Sequence, residues 1–94
     1  VLARIPDGGP YLITIDGDGM DPSVMPAVNA PVPGGLSFLQ AADLLHGLAR
    51  KGPIAGFDIV ELAPRHDVNG LSSLAAARLI LNLIGAMVRS GQLG

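Results

Sequence analysis

The apolar positions fall into four blocks, each with its own period. Tyr11 to Ile15 is short and nearly continuous in apolar residues, bounded by Asp7-Gly8-Gly9-Pro10 before it and by aspartates after it. That pattern predicts a strand buried on both faces, which is the signature of a parallel sheet. From Phe38 the period changes to that of a helix: Phe38, Ala41, Ala42, Leu45, Leu48 and Ala49 recur until Gly52-Pro53 stops them, and Ser37 with Gln40 forms a capping box at the start. Ile54 to Leu62, with Phe57, Ile59, Val60 and Leu62, reads as a second strand ending near Glu61, before Pro64. The last block, Leu71 to Arg89, is apolar nearly all round apart from Arg78, Asn82 and its ends, and predicts a helix buried against more than one neighbour.

Between these blocks lie two loops. Asp16 to Gly35 holds four prolines and four glycines in twenty residues, too long and too broken for a simple connection. Loops of that length inside compact domains are usually functional. Arg65 to Gly70 is a polar strand-to-helix loop.

The order strand, helix, strand, helix is an α/β pattern. A right-handed crossover sets the two strands parallel, so that their carboxyl ends, with Asp16, Asp18 and Glu61, open on one sheet edge, where α/β proteins bind ligands. Two strands and two helices do not cover both faces of a parallel sheet. The chain therefore reads as the end of a larger domain, and the absence of an initiator Met points to a cut or processed start.

Composition narrows the partners. Hydrophobic residues make up 49% of the 94, and the mean hydropathy of +0.48 is high for so small a chain, so some apolar faces are expected to meet further chain or other subunits. A net charge of −2 with six basic residues, one Tyr, two Phe and no Trp offers neither a basic stripe nor a stacking platform for nucleic acid. Arg78 and Asn82 in the middle of Leu71 to Val88 argue for a core helix over a membrane span. The absence of cysteine removes disulfides, thiolate metal sites and cysteine nucleophiles, and suits a cytoplasmic setting.

The candidate chemistry lies at Asp16-Gly17-Asp18. Carboxylates two residues apart at a strand end, followed by Asp21-Pro22 and later Gly34-Gly35, can reach one hard or borderline divalent cation. The simpler alternative is a turn in which the aspartates bond backbone amides. A calcium loop of the EF-hand type fits poorly, because the twelfth position from Asp16 is Ala27 instead of Glu. Asp21 is expected to fold the loop through backbone amides, and Asp58 is given no catalytic role. His46 and His66 have no positioned partner and read as helix-flank and loop residues.

Thr14-Ile15-Asp16-Gly17-Asp18-Gly19-Met20-Asp21-Pro22-Ser23, followed by Pro26, Pro31, Gly34-Gly35-Leu36 and later Asp58-Ile59-Val60-Glu61-Leu62-Ala63-Pro64, resembles the carboxyl-terminal part of the ureohydrolases, the family of arginases and agmatinases. The likeness runs from about Pro10 to Ser90. It implies a βαβα segment of a three-layer α/β/α sandwich, with residues 1–94 forming the end of a single domain. It also implies that Asp16 and Asp18 are ligands of a binuclear manganese centre and that Glu61 holds the substrate guanidinium. The reaction so implied is hydrolysis of an agmatine-like guanidino compound to urea and an amine by a hydroxide bridging the two ions. The other ligands of such a centre come from upstream Gly-Gly-Asp-His and Asp-Ala-His-x-Asp motifs, which do not occur here, so the chain alone is expected to be inactive and to need a missing amino-terminal part. Gly17 stands where an apolar residue is usual, and Val28-Asn29-Ala30 replaces Thr-Gly-Thr. Homo-oligomers are common in the family. Two further readings compete: a non-catalytic assembly protein of the same fold, and a free-standing cation-binding module.

Overall fold

A computed structural model describes residues 1–93. Strand β1 (Tyr11–Asp16) leads through the long loop to helix α1 (Phe38–Lys51), strand β2 (Ile54–Val60) and helix α2 (Leu71–Arg89), which is the predicted βαβα order. β1 and β2 pair in parallel, from Tyr11 opposite Ile54 to Asp16 opposite Val60, with Ala55 skipped between the first two pairs.

Local chemistry explains both helix starts. The Ser37 hydroxyl accepts from the Gln40 amide and the Gln40 side chain accepts from the Ser37 amide, closing the predicted capping box. α2 begins after Gly70, whose φ of 70° lets the chain turn. Its first-turn amides, at Ser72 and Ser73, donate to the Asp67 carboxylate at 2.9 and 3.0 Å. Asp67 is thus the cap of α2, a role its distance of five residues from Ser72 hides from the usual capping pattern.

The two helices pack on each other and on one face of the sheet. Ala41, Ala42, Leu45 and Ala49 of α1 join Ala76, Leu79, Leu83 and Ala86 of α2, with Ile13 and Ile54 beneath them, in one core. Leu79 and Leu83 are wholly buried, and each contributes about 1.5–3 kcal/mol by leaving water. The other face of the sheet departs from expectation. Tyr11 to Ile15 predicts burial on both faces, yet Leu12 is 75% exposed and Thr14 and Asp58 beside it are open as well, because nothing among the described residues lies over them. α2 is likewise covered on one side only. By length and composition it could cross a membrane, but its Ala76, Leu79, Leu83 and Ala86 stripe is buried in the core, while Leu74, Leu81 and Val88 are exposed.

Strand limits differ slightly from those predicted. Asp16 is the last residue of β1, and β2 stops at Val60. The reason for the early stop is the backbone of Glu61, whose φ of 67° takes the chain out of the strand before Leu62 forms a separate antiparallel bridge with Val28.

Candidate functional site

The pairing register builds the site. Because Asp16 lies opposite Val60, the end of β1 is beside the residue that precedes Glu61, and all three candidate residues sit at one edge of the sheet. Gly17 is buried against this junction. A Cβ there would come within 3.0 Å of the Val28 Cγ1 and 3.3 Å of the Val60 carbonyl, so glycine lets the loop close onto the end of β2.

Asp16 and Asp18 do two jobs at once. Asp16 Oδ1 accepts from the Asp18 amide at 2.9 Å, starting a single 3-10 turn over Gly17–Gly19, and Asp18 Oδ1 accepts from the Ala30 amide at 3.2 Å. The turn-folding alternative is therefore part of the truth. Among the described residues no hydrogen bond reaches the second oxygen of either carboxylate. Neither they nor Glu61 has an ion-pair partner there, since the ion pair found is Lys51 with Asp7. Uncompensated carboxylate oxygen is what a hard divalent cation requires, so the donor set fits part of a metal site. It is not a whole one: among the described residues no three His, Asp or Glu side chains converge closely enough to enclose an ion.

Asp21 folds the loop, as expected. Its Oδ2 accepts from the Ser23 amide and hydroxyl, and its Oδ1 accepts from the Gly34 amide at 2.9 Å. These bonds, led by the Ser23 hydroxyl, hold its carboxyl below the ordinary aspartate range. Gly35 completes the closure. A Cβ at that position would be 2.6 Å from the Asp21 amide nitrogen, and the approach lets Leu36 exchange backbone bonds with Gly19 and Asp21.

The first half of the loop contributes to the core, which the prolines and glycines conceal. Met20, Met25, Ala27 and Val28 are buried, and the Ala27 amide donates to the Ser72 hydroxyl at 2.9 Å, itself 1% exposed. With the Ala63 amide donating to the Ala27 carbonyl, this anchors Asn29 and Ala30 beside the end of β2. Ser72 is a site-building residue that sequence reasoning missed, for it looks like one more serine in a helix start.

Glu61 is exposed and left-handed in its backbone. A non-glycine residue there carries strain of about 1–3 kcal/mol, and such strain concentrates at ligand sites. Asp58 is exposed on the open sheet face, away from the carboxyl end. His66 is exposed at the end of a short turn, Pro64–His66, and His46 is engaged with Asn82 between the helices, so neither joins the carboxylates.

Residues 1–85 match the Arginase family. The chain belongs to that family. Among curated members it is 42% identical over 73 residues to the N(1)-aminopropylagmatine ureohydrolase of Thermus thermophilus, covering 78% of this chain and 24% of that protein. It is 37% identical to the agmatinase of Chromobacterium violaceum, over 83% of this chain and 24% of that one. Its fold superposes on the crystal structure of a hypothetical agmatinase from Burkholderia thailandensis with a TM-score of 0.79 at 36% identity, covering 93% of this chain and 27% of that one. This arginase-family chain thus spans about a quarter of the length of the relatives it matches.

Proposed function

We propose that this chain is the carboxyl-terminal part of an agmatinase-like ureohydrolase domain, which as a whole hydrolyses a guanidino compound to urea and an amine. The observation that carries the reading is the register of Asp16 opposite Val60, which brings two aspartates and Glu61 to one sheet edge with no ion-pair partner among the described residues. Asp16 and Asp18 would hold manganese through their free oxygens, with the remaining ligands supplied by residues outside this chain. The chemistry a bound manganese pair supplies is a nucleophilic water available at neutral pH. Glu61 receives the planar guanidinium through two parallel N–H donors and orients its carbon toward the aspartates. Its left-handed backbone turns it out of the sheet direction, and the anchored loop at Asn29 and Ala30 forms the adjacent wall. The same reading assigns the exposed sheet face and the outer side of α2 to burial against the rest of the domain and against further subunits.

The test is manganese content and urea release from agmatine and other guanidino compounds, measured on the intact protein. Asp16→Asn and Asp18→Asn should each lower manganese content, with activity falling by on the order of 10²-fold or more, beyond what loss of a residue behind the ligands costs. Glu61→Gln should keep the metal and raise KM. An intact protein that takes up no manganese and releases no urea from any of these compounds would leave the non-catalytic assembly role instead.

A further inference from the structure

We propose that the groove between the carboxyl-terminal turns of α1 and α2 binds a phosphate group. A cavity of about 460 Å³ opens there, lined by His46 and Arg50 from α1 and by Ala86, Arg89 and Ser90 from α2 and its end. His46 and Arg50, four residues apart, share one helix face. Among the described residues no carboxylate lines the cavity, although the chain has eight acidic residues against six lysines and arginines. Cations in a last helical turn are favoured by the open carbonyls, which explains why arginines occur at these positions. It does not use up their donors: among the described residues neither guanidinium has an ion-pair or hydrogen-bond partner.

The walls are fixed at both ends. At the outer end Gly91, with φ 77°, lets the Gln92 amide bond back to the Met87 carbonyl. The Gln92 side chain then donates to the Ala49 and Gly52 carbonyls at 2.8 and 3.1 Å and accepts from the Ile54 amide at 2.7 Å. At the inner end the Asn82 amide group donates to the Arg78 carbonyl, which turns its oxygen to the His46 Nε2 at 3.0 Å. Nε2 is therefore the donor, and the other ring nitrogen has no partner among the described residues. The backbone that carries the two arginines is held in place before a ligand arrives, while the exposed guanidinium groups stay free to turn toward it.

The number and direction of donors select the ligand. Two planar forks from different helices and the Ser90 hydroxyl exceed the roughly four lone-pair sites that the two oxygens of one carboxylate offer, whereas a tetrahedral phosphate offers oxygens to both sides. The volume exceeds that of a bare ion and lies within the range of small-molecule sites, about 300–1,000 Å³. This points to a phosphate carried on a small organic molecule.

The experiment is calorimetric titration of the intact protein with inorganic phosphate, glycerol phosphate and acetate at constant ionic strength. Saturable phosphate binding is expected, tighter for the ester. Arg50→Gln and Arg89→Gln should each weaken it by about tenfold, the pair should abolish it, and Arg4→Gln should leave it unchanged. The paired lysine variant keeps the charges and loses the forks, so it should also bind more weakly, with an unchanged circular dichroism spectrum. Absence of saturable binding to the wild type, equal affinity in the double glutamine variant, unchanged affinity in the lysine variant, or a preference for acetate would each overturn the proposal.

Discussion

The helix pair and the loop at the carboxyl edge of the sheet are held together by different physics. α1 and α2 meet mainly through an apolar stripe, with Leu79 and Leu83 wholly buried and Ala41, Ala42, Ala49, Ala76 and Ala86 buried around them. The loop from Gly17 to Ser37 is held by single hydrogen bonds to side chains, at Asp21, Asp18 and Ser72, with Met20, Met25 and Val28 pressed beneath them. Apolar packing is non-directional and spreads over many residues, while each hydrogen bond concentrates its effect on one amide. The site is thus held by a few directional bonds, some of them long-range, on a support held by apolar packing spread over many residues.

The largest way to sharpen the contrast is Leu83→Ala. It should cost about 2–5 kcal/mol of global stability by opening a cavity between the helices, read by denaturant unfolding, with the whole molecule unfolding at a lower midpoint. Ser72→Ala should cost less, about 1–3 kcal/mol, by leaving the buried Ala27 amide without an acceptor. Its signature is local: hydrogen exchange at Ala27 and Val28 should accelerate more than exchange in α1. A uniform acceleration would break the distinction between the two regions.

The smallest effect separates the regions by pH. The folded Asp21 carboxyl titrates below its unfolded value because the Ser23 hydroxyl and the Ser23 and Gly34 amides bond its charged form. A depressed value contributes stability above the unfolded pKa of about 3.9, and that stability is lost as pH falls through the folded value. Asp67 behaves alike through Ser73 and Ser72. Acidification below about pH 4 should therefore loosen the loop and the start of α2 before the Leu79 and Leu83 core. Asp21→Asn should flatten the pH dependence of loop exchange, and an unchanged slope in that variant would assign the acid sensitivity elsewhere.

Much of this was legible in the residues themselves. Helix limits followed from local chemistry: Ser37 and Gln40 start α1, Gly52-Pro53 ends it, and α2 spans the apolar block from Leu71 to Arg89. The Asp16 and Glu61 neighbourhoods were legible too, because parallel strands joined by one helix must end on the same edge. Asp67 escaped notice since its carboxylate reaches Ser72 and Ser73 across an intervening turn, and Ser72 since its partner Ala27 is 45 residues away. The buried methionines of the loop were masked by the prolines and glycines around them.

What the sequence by itself determined was the order of the elements, the limits of the helices, the acidic edge and the family likeness, all of which rest on short-range periodicity and on residue types at fixed spacing. Only the tertiary structure decided which faces are covered. Leu12 and Leu83 are both apolar residues in apolar runs, yet one is exposed and the other buried, since burial depends on which neighbours arrive and not on the residue's own preference. The convergence of Arg50 and Arg89 on one groove is of the same kind. It follows from the packing of two helices that brings together residues 39 positions apart in the chain, a distance no local pattern spans.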